Sequence, residues 1–325
     1  MKQESQWTLG SMPAYPALSQ DTDTTVLIIG GGITGLTAAC LLSQEGKKVV
    51  LLEKHRLGSA ETLHTTAHIS YPSDLRLTDL EKHFGASHAQ AVWEAGQAAA
   101  HEIVRLVREE KIDCGLQSVP AYLYAAEGSD LEKESGTLKQ EAERAQELGF
   151  DTAFLSNCPA AHRPALAFAN LHKFHPMEYL KGLAEAATRA GAVIHEESEV
   201  TEFGESGHEV TCNGVKVHFK HVFIATHVPL QGNASTLSAA MLQTKLAGYS
   251  TYAVSARLSA DAAVPEALWW DTADPYFYFR TDRDEQGVVV IAGGEDHKTG
   301  TVTDTESCYT RLILKLHHVF PCARV

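Results

Sequence analysis

VLIIGGGITGLTAACLLSQEGKKVVLLE, residues 26 to 53, reads as a strand, a glycine turn, a helix and a second strand, in that order. Val26 to Ile29 is too short for a helix and too uniformly apolar for a strand with one wet face. It predicts a strand buried on both sides of a parallel sheet. Gly30, Gly32 and Gly35 follow at the G-x-G-x-x-G spacing. In that pattern Gly30 makes the tight turn, Gly32 admits a pyrophosphate to the backbone, and Gly35 lets the helix pack close to the strand. The helix predicted from Ile33 to Gln44 has Ile33 and Thr34 in its first turn. Its free amides and positive dipole end face the phosphates, and Gly46 is its C-terminal cap. Val49 to Leu52 is a second buried strand. It ends in Glu53, 18 residues after Gly35, where a carboxylate accepts hydrogen bonds from the ribose hydroxyls of an adenosine. An acid at that position favours FAD or NAD over NADP. A βαβ unit that binds nothing is the competing reading, and it leaves the cost of three glycines uncompensated.

The chain has 325 residues, enough for one large or two medium domains. Its net charge is −14 with a pI near 5.6, which disfavours nucleic acid and anionic membrane surfaces as partners. No apolar run approaches the length of a membrane span. Residues 1–22 are polar and proline-bearing, lack the apolar centre of a signal peptide, and predict an extended N-terminal arm. Cys40, Cys114, Cys158, Cys212, Cys308 and Cys322 are scattered, without C-x-x-C or zinc or iron–sulfur spacing. The expectation is no metal site, and reduced thiols in a cytoplasmic protein.

After Glu53-Lys54, the segment SAETLHTTAH at 59–68 is dense in hydroxyls and histidines and has no period, which suits a loop against a flat ligand. The glycine motif, Glu53-Lys54 and HTTAH together resemble FAD-dependent oxidoreductases of the D-amino-acid oxidase-like superfamily. The nearest branch is one whose members often carry a C-terminal Rieske iron–sulfur domain. LWWDTADPYFYFR at 268–280 and GGEDHKTG at 293–300 are similar to the same branch. The resemblance covers about residues 24 to 325. It implies FAD as cofactor, with His64, Thr65, Thr66 and Ala67 in a loop beside the isoalloxazine ring. It also implies that Val200 meets the adenine through its backbone and that Ala225-Thr226 returns to the nucleotide sheet, with His227 where a glycine is usual. In some members a loop histidine is covalently bound to the flavin; His64 is the candidate here, with non-covalent contact as the alternative.

Periodicity and capping signals predict the other elements. Residues 75 to 112 read as helical, with Ser87 capping the longer part and Ala91, Val92, Ala95, Ala99, Ile103, Leu106 and Val107 near one face. Ser129 is the predicted cap of a helix over 130–148, Pro176 opens another to about 189, and 304–318 is the last. Lys173 and His175 read as surface or helix-entry residues. Strands are predicted at 121–126, 166–175, 192–200, 209–212, 215–219, 221–225, 248–258 and 288–291, with a hairpin at Asn213-Gly214. The fold class is α/β: a Rossmann-like FAD-binding domain (23–80 and 166–232) interleaved with a mixed-sheet cap for the substrate (81–165 and 233–325). In the resembled superfamily a further nucleotide-domain strand and helix follow the cap. The sequence implies a C-terminally incomplete version, with a C-terminal or Rieske partner as a candidate associate or electron acceptor.

The resemblance implies oxidation of an amine or amino acid by hydride transfer to flavin N5, giving an imine that hydrolyses. Tyr276, Tyr278 and Phe279 are candidate pocket walls, and Arg280 a candidate clamp for a substrate carboxylate. Arg280, Tyr278 and His68 are the catalytic candidates. Asp296 and His297 are acid–base candidates or part of a turn held by Gly293, Gly294 and Gly300. The bland alternatives are a sheet core for the aromatics and a structural ion pair for Arg280. Two other functions compete: a non-catalytic subunit with this fold, and an NAD-dependent dehydrogenase. The second is disfavoured because HTTAH and a long helical stretch interrupt the βα alternation that a nicotinamide domain continues.

Overall fold

The computed structural model describes residues 5–7, 12–205, 207–227 and 247–325. The domain boundary expected at 232/233 and parts of the expected N-terminal arm (1–4 and 8–11) lie outside them. Two compact units are interleaved along the chain: Met1–Thr65, Arg105–Gly115 and His175–Leu246 in one, Thr66–Val104, Leu116–Phe174 and Ala247–Val325 in the other. The first crossing falls at Thr65/Thr66, where the sequence pattern predicts 80. The return falls at Phe174/His175, where it predicts 165/166.

The first unit is built on β1 (Thr22–Ile29), α1 (Ile33–Gln44) and β2 (Val49–Leu52), with the helix and second strand at the predicted bounds. Leu27, Ile28 and all of Val49–Leu52 are buried, as continuous apolar runs in a parallel sheet require. The sheet order is β7-β2-β1-β10-β9-β8, where β7 is Val193–His195, β8 Val200–Phe203, β9 Glu209–Cys212 and β10 Val215–Ile224. β7, β2, β1 and β10 run parallel, β9 is antiparallel to β10, and β8 is antiparallel to β9. Asn213 and Gly214 both have positive φ, 51° and 78°, in the β9–β10 hairpin, as the Asn-Gly signal requires. The two strands predicted over 215–225 are one, because His221 to Ile224 continues the β1 pairing without a break. α6 (Pro176–Arg189) lies against α1, with His175 as its N-cap through Nδ1, which accepts from the Glu178 amide at 3.2 Å.

The second unit is an eight-stranded mixed sheet. Its order is β11-β14-β13-β12-β4-β6-β3, with β5 (Thr152–Leu155) also paired to β6. Here β3 is His68–Ile69, β4 Gln117–Tyr124, β6 Ala165–Lys173, β11 Tyr249–Leu258, β12 Leu268–Asp271, β13 Tyr278–Asp284 and β14 Gly287–Lys298. Alternation along the strands divides the core between two faces. Tyr122, Trp269 and Phe279 pack with Leu312 and Leu316 of α7 (Thr305–Val319). Ala121, Leu123 and Leu268 pack with Trp93 of α4 (Ala86–Glu109) and Leu138 of α5 (Leu131–Glu147).

Four local expectations are corrected. α3 (Leu77–Phe84) and α4 are separate helices, broken at Gly85 with φ +86°, so Ser87 lies inside the first turn of α4 and caps nothing. The buried stripe of α4 includes Ala89, Trp93, Ala100 and Leu106; of the predicted face, Ala91, Val92, Ala95 and Ala99 are exposed, because the indole of Trp93 sets which side turns inward. Asp130, rather than Ser129, caps α5, its carboxylate accepting from the Glu132 and Lys133 amides. The GGEDHK segment is not a turn but the end of β14, paired with β11 across a bulge between Ser250 and Tyr252.

Candidate functional site

In the first unit the predicted nucleotide residues gather where β1, β2 and β10 end. Gly30 has φ +111°, and a Cβ there would stand 2.5 Å from the Ala225 carbonyl oxygen. A Cβ on Gly35 would stand 1.9 Å from the Gly30 carbonyl oxygen, so α1 packs on the turn as closely as backbone allows. Gly32 differs: among the described residues, a Cβ there would meet only Thr62 Oγ1, at 3.3 Å. Gly32 is also the N-cap residue of α1; among the described residues no side chain caps that end, and its first turn holds no acid. Ile33 is half-buried and Thr34 exposed there. The face of Gly32 is therefore open backbone beside the uncapped positive end of a helix, a cradle that a larger residue would fill.

Glu53 lies across this turn. Its Oε2 accepts from the Gly31 amide at 2.6 Å and its Oε1 from the His55 amide at 2.8 Å. The backbone of His195 to Ser198 runs beside it, with Ser198 N–H donating to the Glu53 carbonyl and Glu53 N–H to that of His195. Buried Glu196 accepts from the Leu57 and Tyr15 amides and pairs with Arg56 at 2.6 Å. It thus ties the N-terminal arm and the loop after Glu53 to one carboxylate. Lys54 is exposed and pairs with Glu199 at 2.9 Å. Val200 opens β8 opposite Cys212 and packs on the unit's core. Thr226 follows Ala225 beside Gly30, and His227 holds φ +62°, so it keeps a backbone conformation that favours glycine.

His64 is exposed at the end of a short helix, α2 (Glu61–His64). The arm holds this segment: Ser5 Oγ donates to the Leu63 carbonyl and Trp7 Nε1 to that of Thr65, at 2.6 Å. Thr62, Glu196 and Trp7 carry no sequence signal of these roles, since none belongs to a spaced motif.

In the second unit a cavity of about 330 Å³ is lined by Thr66 and His68 and by residues of 70–76 and 270–278. Tyr276, Tyr278, Trp270 and Phe168 supply aromatic surface. Tyr276 Oη donates to Asp74 Oδ1 at 3.4 Å, and Tyr278 Oη lies 3.2 Å from Thr251 Oγ1. Burial raises both phenol pKa values, with Asp296 adding to the effect at each. Asp271 Oδ1 accepts from the Ala273 and Phe277 amides, each at 3.0 Å, and burial raises its carboxyl above the usual range. Glu141 also lines the cavity but is committed to the N-terminus of α3, through the Leu77 and Thr78 amides. Trp93, 1% exposed, lines the cavity too, and its indole Nε1 has no acceptor among the described residues.

Of the catalytic candidates, Tyr278 and His68 reach the cavity. His68 is a neutral wall group: burial, with Arg280 nearby, lowers its pKa to about 4. Its Nδ1 lies 3.1 Å from Thr66 Oγ1 and its Nε2 3.3 Å from the Phe279 carbonyl. That carbonyl accepts only from a protonated Nε2, which assigns the tautomer. Arg280 is not a carboxylate clamp. It is 3% exposed, its Nε and one terminal nitrogen grip Asp282 at 2.8 and 2.6 Å, and the other terminal nitrogen donates to the carbonyls of Thr66, Ala67 and Phe174. Lys173, expected near the surface, is buried in the same network, bonded to Glu266 Oε1 at 2.7 Å and Asp282 Oδ1 at 2.9 Å. Burial alone would raise Asp282, but Arg280 and Lys173 hold its pKa below the usual carboxylate range. Phe279 is core rather than wall, stacked on Trp269 at 5.4 Å. His297 stacks on Tyr252 at 5.6 Å, and Asp296 Oδ1 is buried with no partner among the described residues.

Among the described residues no cluster of His, Cys, Asp and Glu is placed to hold a metal ion, and no helix is long and apolar enough to cross a membrane.

A family model described as FAD dependent oxidoreductase matches residues 25–325. A protein of Bacillus subtilis (strain 168) named as a Rieske 2Fe-2S iron-sulfur protein, YhfW, is 30% identical over 302 residues, covering 91% of this chain and 57% of its own. Gamma-glutamylputrescine oxidoreductase of Escherichia coli (strain K12) is 26% identical over 223 residues, 65% of this chain and 50% of its own. The chain spans about half the length of the curated relatives it matches. Among solved structures, L-proline dehydrogenase from P. horikoshii aligns with a TM-score of 0.69 at 17% identity, over 93% of this chain and 78% of that one. Glycine oxidase from Geobacillus kaustophilus gives 0.63 at 19%, over 94% and 81%. At those identities the likeness is one of fold.

Proposed function

The chain belongs to the FAD dependent oxidoreductase family, and from that premise we propose that it binds FAD at the Gly30–Gly35 turn and oxidises an amine or amino acid held in the cavity of the second unit. The observation that carries the reading is the open face of Gly32 beside the uncapped start of α1, with Glu53 on the same turn. A pyrophosphate fits that combination of bare backbone and positive helix end. Glu53, already an acceptor of backbone N–H groups there, is the residue for the ribose hydroxyls.

Held by the Gly30–Gly35 turn and Glu53, FAD would supply the redox chemistry, acceptance of a hydride from the carbon next to the substrate nitrogen. The protein's own part is to bind, orient and manage the proton. An amine gives up hydride readily only when neutral, so the ammonium proton must leave first. Asp271 is the carboxylate placed to take that proton. It lines the cavity, and burial makes it a better proton acceptor than an exposed aspartate. The aromatic walls exclude water and fix the carbon chain. His68, uncharged above about pH 4, adds no positive charge that would repel an ammonium.

Absorption between about 300 and 600 nm, recorded on the purified chain before and after adding FAD, tests the reading. Retained flavin bands that bleach on anaerobic addition of an amine support it. A folded chain that retains no flavin at excess FAD overturns it. In the covalent alternative, acid precipitation leaves yellow colour in the pellet and His64→Ala releases it.

A further inference from the structure

Resting on the reading of this cavity as the substrate site, we infer that it selects an amine with a second cationic centre and no carboxylate. Among the described residues lining the cavity, Asp74, Glu141 and Asp271 face one guanidinium, that of Arg76, and His68 is uncharged. Three carboxylates against one cation leave a formal charge of −2, and Arg76 is itself paired with Glu134 at 3.3 Å. Arg280, the cation that the sequence offered for a substrate carboxylate, is held by Asp282 and three carbonyls and does not line the cavity. A bound α-carboxylate would meet net negative charge, and the one lining guanidinium, Arg76, is already shared with Glu134 through a terminal nitrogen.

Cations fit each part of the wall. Asp74 is exposed and shares its Oδ1 with the Tyr276 hydroxyl, so it offers a solvated anion at the rim with a tyrosine beside it. Asp271 is half-buried and offers a second anion deeper in. Tyr276, Tyr278 and Trp270 present ring faces or edges to the same space, and aromatic faces attract alkylammonium groups. Outside the lining, Asp296 acts on both tyrosines and has a buried, unpartnered oxygen, which deepens the negative potential. Trp93 supplies an independent feature: a fully buried indole on the wall whose N–H has no acceptor among the described residues. A neutral amine nitrogen is an acceptor of the kind this buried N–H lacks, and the lining carboxylates supply an anion suited to a second, charged nitrogen.

Isothermal titration of the full chain at low ionic strength, with 1,4-diaminobutane, butylamine and norvaline as probes, tests the inference. The expected result is diaminobutane binding about threefold tighter than butylamine, the scale of one added charge pair with an exposed carboxylate, and norvaline weakest of the three. Asp74→Asn should bring the diamine-to-monoamine ratio close to one. Tyr276→Phe, which removes the hydroxyl on Asp74, should reduce it less. Equal affinity for diamine and monoamine in the native chain, or norvaline binding as tightly as butylamine, overturns the inference. The flavin spectrum separates this from the parent reading. Diamine binding by a chain that holds no FAD keeps the site and removes the oxidase. Bleaching by amino acids with diamines ignored keeps the oxidase and removes the inference.

Discussion

The glycine turn of the first unit and the cavity of the second are built from different materials. The turn is backbone against backbone: Gly30 against Ala225, Gly35 against Gly30, with space left at Gly32. The cavity is side chain against side chain, assembled from α4, α5, the 66–76 segment and strands β4, β6, β12 and β13. Three spaced glycines at a strand–helix junction can specify the first. The second needs two helices, a loop and four strands brought together from across the unit. The two regions should therefore fail differently when substituted, and four measurements sharpen or break that contrast.

The largest effect is expected at Gly35. A valine there places its first carbon about 1.9 Å from the Gly30 carbonyl oxygen, inside any allowed contact. Either α1 or the turn must move, and overpacking of this severity costs roughly 3 kcal/mol or more. Gly35→Val should show a large loss in urea midpoint or fail to accumulate folded. A midpoint within error of the native chain would mean that the helix does not pack on the turn as described.

Asp282→Asn comes next, in the ion network of the second unit. The change leaves Arg280 and Lys173, both almost fully buried, with one anion fewer. Removing one partner from a buried pair costs about 3–5 kcal/mol, and the partial exposure of Asp282 reduces the expectation to about 2 kcal/mol. The folded pKa of Asp282 is lowered, so its contribution is complete above the unfolded value of about 3.9 and is lost as pH falls through the lower folded value. The stability gap between native chain and variant should accordingly be constant at neutral pH and close in acid. A variant as stable as the native chain but catalytically dead would restore Arg280 to the substrate.

The same network shows what the sequence disclosed and what it hid. The turn, α1, β2 and the Asn213-Gly214 hairpin are legible because each rests on residues near in sequence with one physical solution. Arg280 misleads because its neighbours in sequence, Tyr276 and Tyr278, do reach the cavity. Yet Arg280 and Asp282 are two apart on β13, and strand residues two apart share a face; that spacing is a readable sign of an ion pair. Lys173 cannot be read, since its partners lie on β13 and the segment before β12, more than 90 residues away in sequence. Asp74 and Asp271 are hidden for the same reason. Their common cavity depends on β12 pairing parallel to β4 and antiparallel to β13, a register no local pattern announces.

Gly32→Val is expected to be milder for stability, and it sharpens the comparison within the turn itself. Among the described residues the added atoms meet the Thr62 hydroxyl alone, so the fold should change by no more than about 1 kcal/mol. FAD retention, measured by absorbance after gel filtration, should be lost, because the valine occupies the backbone face that the pyrophosphate needs. A paired result is predicted: Gly35→Val loses the fold, and Gly32→Val keeps the fold and loses the flavin. If both variants unfold, Gly32 is a packing residue and the cradle assignment fails. If Gly32→Val still retains FAD, the dinucleotide lies elsewhere.

The smallest effect belongs to His68, and it tests whether the cavity is as enclosed as its walls imply. Burial is the main cause of the lowered pKa, with the Arg280 charge second. Folded His68 titrates near 4 and the unfolded residue near 6.5, so between those values the unfolded chain binds a proton that the native chain refuses. This residue leaves stability level above about pH 6.5 and erodes it as pH falls toward 4, through the preference of the wall for neutral imidazole. The Cε1–H resonance of His68, followed by NMR, should stay at its neutral position down to about pH 5 and move around pH 4. In Arg280→Met the midpoint should rise only part of the way, because burial remains when the charge is gone. A midpoint near 6.5 in the native chain would mean that water reaches the ring freely. The wall would then be wet, Asp271 would lose the burial that raises its pKa, and the cavity would differ from the turn less in construction than its side chains suggest.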